Sequence, residues 1–124
     1  MTMLKNLASD SSRPALDVVN ILAGIALALS PWLLGYAADA VAVWHALIAG
    51  VITVLIAARA LVAFHKYEEW ANLVVGLWIV AAPWVLGFAG LAAAMWSHAI
   101  AGAVVAALAA ASLWLANDRP LSAA

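Results

Sequence analysis

The sequence predicts an all-α membrane protein: four transmembrane helices laid out as two tandem, parallel two-helix repeats, related by a pseudo-two-fold axis along the membrane normal. Three observations predict it. The 124 residues are 69% hydrophobic and 9% charged, with a mean hydropathy of +1.11, far from the roughly 45–50% apolar and ~25% charged mix of soluble domains. Uncharged stretches run from Val18 to Ala38 and from Trp70 to Asn117, one long enough for a membrane crossing and the other for two. Finally, Ser30-Pro31-Trp32-Leu33-Leu34-Gly35 returns fifty-two positions later as Ala82-Pro83-Trp84-Val85-Leu86-Gly87.

The repeat extends well beyond this motif. Laid over each other without a gap, residues 17–64 and 69–116 agree at 16 of 48 positions, including Asn20/Asn72, Gly24/Gly76, Trp44/Trp96 and Gly50/Gly102. Pro-Trp-x-x-Gly in an apolar run resembles the SPW-repeat family of small prokaryotic membrane proteins, whose unit is two transmembrane helices with Ser-Pro-Trp in the first. The resemblance implies a fold and a membrane location, and it implies no activity. The second copy departs from the signature, with Ala82 in place of the serine.

Taken in order, residues 1–13 read as a polar tail on the cytoplasmic side, without the apolar core or cleavage pattern of a signal peptide. Ser11, Ser12 and Pro14 form a helix-start signal, so the first repeat, 14–64, begins with a helix over about 14–36. Its uncharged part spans about 31 Å at ~1.5 Å per residue. Asp39 marks a turn, and a second helix follows over 40–64. The polar break His65-Lys66-Tyr67-Glu68-Glu69 is the linker, 65–69. The second repeat, 69–117, begins on the linker's last residue. Trp70–Asn117 would extend about 72 Å as one helix, so it turns near Gly87-Phe88-Ala89-Gly90, giving helices over 69–88 and 91–117. Asn117-Asp118-Arg119-Pro120 ends the last helix, and 118–124 is a second cytoplasmic tail.

Orientation follows from the basic residues. Lys5, Arg13, Arg59, Lys66 and Arg119 fall at the termini or near the linker, and the other two loops have none, which places both termini on the cytoplasmic side of an inner membrane. Trp32, Trp44, Trp84 and Trp96 flank the outer loops, while Trp70 and Trp114 sit at the inner boundary, as an aromatic belt does. Trp78 falls mid-membrane, as a packing or lipid-facing residue.

Several residues qualify as candidates for more than packing. Pro31 and Pro83 cannot bond to the carbonyls of Leu27 and Ile79, so each first helix is expected to kink or end there, with an interfacial tryptophan and a glycine-assisted turn. The Ser30 hydroxyl can satisfy a freed carbonyl, and Ala82 cannot. Asn20 and Asn72 lie at equivalent depths, with Asp17 and Glu69 three residues before them on nearly the same face. Such groups hold helices together or line a proton or cation path. His45 and His98 share a depth, but the repeat aligns His98 with Ala46, and one position is about 100° of rotation. A symmetric bis-histidine site is therefore not implied, and His65 reads as solvated. Gly24, Gly50, Gly76 and Gly102 are candidate close-packing positions. Ala46-Gly50 and His98-Gly102-Ala106-Ala110 form small-residue ridges, with Ala99-Ala103-Ala107-Ala111 as a second face on the last helix.

What the sequence lacks narrows its chemistry. There is no cysteine, and a net charge of −1 with five basic residues leaves no basic patch for nucleic acid. No phosphate loop, catalytic triad, paired carboxylates or His-x-x-x-His appears, so neither an enzyme nor a cofactor or metal site is expected. The expected role is structural or accessory, with the lipid bilayer and copies of itself or a larger membrane complex as partners. The alternatives are a small oligomeric channel or transporter, and a haem- or quinone-binding electron carrier using His45 and His98. The topology predicts that, in a chain without native cysteines, an impermeant thiol reagent added outside intact cells labels a cysteine placed at Asp39 and not one at Lys66. The reverse pattern would invert the assignment.

Overall fold

In the computed structural model the chain forms α1 (Thr2–Leu33), α2 (Ala40–Val62), α3 (Lys66–Val85) and α4 (Ala92–Asn117). Backbone is described for residues 2–63 and 66–117, and side chains for 14–63 and 67–115. His65 and the tail from Asp118 lie outside the described residues. Among the described residues three helices are long and apolar enough to cross a membrane, over Pro14–Leu33, Ala40–Val62 and Ala92–Leu115. In α3 the first turn carries Glu68 and Glu69, leaving an uncharged run from Trp70 to Val85, about 24 Å at ~1.5 Å per residue.

The first helix begins earlier than the serine-proline signal suggests, at Thr2, with Pro14 inside it. The charge-free run of this helix begins further along, at Val18. Serine and proline here lie within a continuous helix, and the backbone stays helical across them.

Consecutive helices pair as α1–α2 and α3–α4. The ring closes through α1–α4 and, less extensively, α2–α3; α2 and α4 barely meet across the centre, and α1 and α3 occupy opposite corners. Residue types are distributed inside out. All seven tryptophans are exposed, with Leu22, Leu29, Leu55, Val74 and Leu77, while the interior holds alanine and glycine, a few larger apolar side chains such as Leu27, Ile79 and Val105, and Asp17, Asn20, Thr53, Glu69, Asn72, His98 and Ser112. Hydrocarbon rewards no burial of leucine, and polar groups avoid it by turning toward the interior of the bundle.

Each hairpin is pinned where two glycines let backbones touch. A Cβ on Gly50 would sit 2.5 Å from the Gly24 carbonyl oxygen and 2.9 Å from the Ala28 nitrogen. One on Gly24 would meet the Gly50 oxygen at 2.8 Å. Between α3 and α4, the Gly76 position faces the Ala106 nitrogen at 2.6 Å, and the Gly102 position faces the Gly76 oxygen at 2.6 Å.

The Pro-Trp-x-x-Gly motif is a helix terminus in both places. The Leu34 N–H donates to the Ser30 carbonyl at 2.8 Å and the Tyr36 N–H to the Pro31 carbonyl at 2.9 Å; Leu86 and Phe88 repeat these bonds to Ala82 and Pro83, both at 2.8 Å. Gly35 (φ 83°) and Gly87 (φ 86°) adopt the left-handed conformation that makes the reversal possible. This is a Schellman ending, with the proline three residues before the helix cap. Each helix thus ends two residues beyond its proline, at Leu33 and Val85. Asp39 then caps α2, its carboxylate accepting from the Ala42 N–H at 2.9 Å.

Two substitutions separate backbone contact from backbone conformation. Gly35→Ala has open space around its new methyl and should cost about 1–2 kcal/mol for the left-handed φ alone. Gly50→Ala drives a methyl into backbone that cannot rotate away, and should cost more and disturb the α1–α2 pairing. Unfolding in detergent, followed by circular dichroism, measures both. Equal losses would mean the glycine contact is not what sets the interhelical distance.

Candidate functional site

Two polar levels lie within the bundle, separated by an apolar section. The level nearer the two hairpin loops is the better connected. His98 is fully buried on α4, and its Nδ1 lies 2.8 Å from the Ala94 carbonyl oxygen. A carbonyl only accepts, so Nδ1 carries the proton and Nε2 of the neutral ring accepts. The His45 Nδ1–H donates to it across 3.0 Å. That leaves His45 Nε2 as an acceptor, and the Trp78 indole N–H donates to it at 2.8 Å. Donation therefore runs one way, from Trp78 through His45 and His98 to Ala94, with both rings neutral. Phe88 packs against the His98 ring in a T-shaped arrangement, centroids 4.8 Å apart. All four ring nitrogens are committed, so either histidine could ligate a metal or haem iron only by giving up a bond.

A hydroxyl cluster occupies the α1–α4 side of the same level. The Ser30 hydroxyl donates to the Leu27 carbonyl at 2.7 Å, the carbonyl that Pro31 deprives of its usual partner. Ser30 also hydrogen-bonds the Tyr36 hydroxyl, which reaches Ser97 Oγ at 3.1 Å. The Ser97 hydroxyl lies 3.0 Å from the Ala94 oxygen, to which it can donate.

Toward the chain termini, Asp17 and Asn20 on α1, Thr53 on α2, Glu69 and Asn72 on α3 and Ser112 on α4 are all buried. The side chains of Asn20, Thr53, Asn72 and Ser112 have no hydrogen-bond partner among the described residues. In hydrocarbon, groups of this kind are satisfied by water or by a neighbouring chain. At the edge of this level, Arg59 Nε lies 3.3 Å from Glu68 Oε1, beside a cleft of about 320 Å³ that includes Leu55, Ile56 and Tyr67. Between the two levels Leu27, Ala46, Ala49 and Ile79 form one apolar cluster. No group of three metal-ligating side chains is found among the described residues.

The sequence-derived candidates therefore divide. Asp17, Asn20, Glu69 and Asn72 lie on the inward faces of α1 and α3, and the four glycines sit at the hairpin contacts. Ser30, Pro31, Gly35, Pro83 and Gly87 shape two helix ends, and Trp32 and Trp84 project outward. His45 and His98 meet without being symmetric equivalents, because a ring on α2 reaches inward to one on α4. Sequence reasoning passed over Tyr36, Ser97 and the polar role of Trp78. Of these only Trp78 carried a signal: an indole N–H at mid-membrane requires a buried acceptor.

The sequence matches the SPW repeat domain family over residues 14–112. No curated protein and no solved structure matches it.

The directional bonding predicts that His45 and His98 are energetically coupled. Truncating either to alanine strands a polar group of the other and should cost about 1–3 kcal/mol, while the double variant should cost less than the sum. A double-mutant cycle of detergent unfolding gives the coupling directly; strict additivity would show that the rings are adjacent without being bonded.

Proposed function

Because the chain belongs to the SPW repeat domain family and carries membrane-spanning helices, we propose that it is a four-span protein of the inner membrane, both termini cytoplasmic, with a structural or accessory role. It acts by packing against copies of itself or a larger membrane complex. The observation that carries this reading is the middle of the outer face of α4, where Ala103, Ala107 and Ala110 are exposed between the exposed Ile100 and Trp114. Small residues on a lipid-facing surface let another backbone approach closely. The buried ridge of the same helix, His98-Gly102-Ala106, is already used inside the bundle.

The third helix crosses as well in this reading, since its acids and Asn72 are turned inward and its outward face is apolar. The two hairpins are related by the pseudo-two-fold. In support, Asp17, Asn20, Gly24, Leu27, Ser30 and Pro31 are buried on α1, and so are the α3 residues fifty-two positions on. The loop bonds pair in the same way. Conduction within one chain is disfavoured by the apolar cluster around Leu27 and Ile79 and by the glycine contacts, which separate the two polar levels and resist wetting. Catalysis is no part of this reading.

Mass measurement of the protein extracted directly into native nanodiscs should give a species larger than one chain, and Ala107→Leu should shrink it. A strict monomer that moves ions in proteoliposomes, with the activity lost in Asn20→Leu/Asn72→Leu, would replace this reading by transport.

A further inference from the structure

The two seams that close the ring, α3–α2 and α1–α4, are filled differently at equivalent positions. In the α3–α2 seam Trp78 lies against His45, its indole N–H bonded to the imidazole. Fifty-two positions away, Ala26 stands for Trp78 and Ser97 for His45. Where the indole would be, the α1–α4 seam has a groove of about 280 Å³, bordered by Ala23, Ala26, Leu27, Ser30, Ser97 and Ile100. It opens toward the surrounding hydrocarbon, and its only polar borders are the two serines.

Hydrogen-bond accounting shows which of these serines can serve a guest. Three hydroxyls, those of Ser30, Tyr36 and Ser97, supply three protons to four contacts. Ser30 is committed to Leu27, whose carbonyl has lost its helical donor to Pro31, and Tyr36 can donate to Ser30. Ser97 has two acceptors to choose from, and one of them, the Ala94 oxygen, already faces His98 Nδ1 at 2.8 Å. Redirecting the Ser97 proton into the groove therefore strands no buried group. The sister seam meets its ring with an acceptor, His45 Nε2, whereas this one offers a donor. A guest that suits it is flat, of about indole size, soluble in hydrocarbon, and carries a carbonyl.

We propose that the α1–α4 groove is a lateral binding site for a membrane-dissolved ring bearing a carbonyl, the chemistry of a quinone headgroup, with Ser97 donating to that carbonyl. The template argument rests on the two-fold relation between the hairpins proposed above.

The experiment measures equilibrium binding of a radiolabelled short-chain benzoquinone to the full chain in nanodiscs, with empty nanodiscs subtracted. Wild type should bind saturably, one per chain. Ser97→Ala should weaken binding about fivefold, the worth of roughly 1 kcal/mol of hydrogen bond. Ala26→Trp rebuilds the sister seam's indole, so it should abolish binding while holding or raising the melting temperature. Ala26→Phe, a smaller filler, should weaken binding at least tenfold. Uptake no greater than in empty discs would mean that the groove holds acyl chains only, and would overturn the proposal. So would undiminished binding in Ala26→Trp and Ala26→Phe, which would place the ring elsewhere. If Ala26→Trp lowers the melting temperature, the seams are not equivalent, and the two-fold relation falls together with the template. A stable Ala26→Trp variant alongside a wild type that takes up no quinone overturns the ring site alone.

Discussion

Everything in this bundle depends on how closely two helices approach when the solvent gives them no reason to. Hydrocarbon is as apolar as leucine, so association draws on van der Waals contact and on polar groups that lipid cannot satisfy. The glycine contacts supply the first, bringing the backbones of α1 and α2, and of α3 and α4, together with nothing between them. Depth and rotation of every other residue are fixed from there. One turn toward the termini, Asn20 and Asn72 face inward; one turn toward the loops, Leu27 and Ile79 close the centre. The histidine pair depends on the same distances, since a bond of 3.0 Å between rings on diagonal helices tolerates no slack in either hairpin.

The proline motif solves a related problem at the membrane boundary. A helix leaving hydrocarbon has carbonyls to satisfy, and proline adds one more by withholding its N–H. In α1 the Ser30 hydroxyl takes up that carbonyl and joins Tyr36 and Ser97 in a cluster. Ala82 and Phe88 have no hydroxyl with which to build one, and at the corresponding place in the other seam imidazole and indole do the bonding. Identical backbone endings thus support different side-chain chemistry, and the departure from Ser-Pro-Trp in the second copy coincides with that divergence.

Much of the architecture was legible because it is written in backbone requirements. A glycine that must adopt positive φ, a proline that cannot donate and a charge that cannot sit in lipid each mark a position independently of what packs around it. Gly35, Gly87 and Asp39 located the hairpin turns for this reason. The histidine pair was less legible: comparing His45 with His98 through the repeat tests for symmetry, whereas a hydrogen bond needs only reach. Trp78 was placed by depth alone, which does not reveal the acceptor across the seam. The start of α1 was obscured because Ser11, Ser12 and Pro14 suit a helix that begins there, and the helix in fact runs through them.

The tight endings at Gly35 and Gly87 also bear on how such a chain is made. Only six residues, 34–39 and 86–91, join the helices of each hairpin, and between them they carry a single charge, Asp39. In the four-span reading proposed above, little polar mass has to be carried through the apolar phase when a hairpin inserts, so the two helices of a pair can enter the bilayer together. A chain assembled from such units can gain or lose one of them without turning its neighbours upside down.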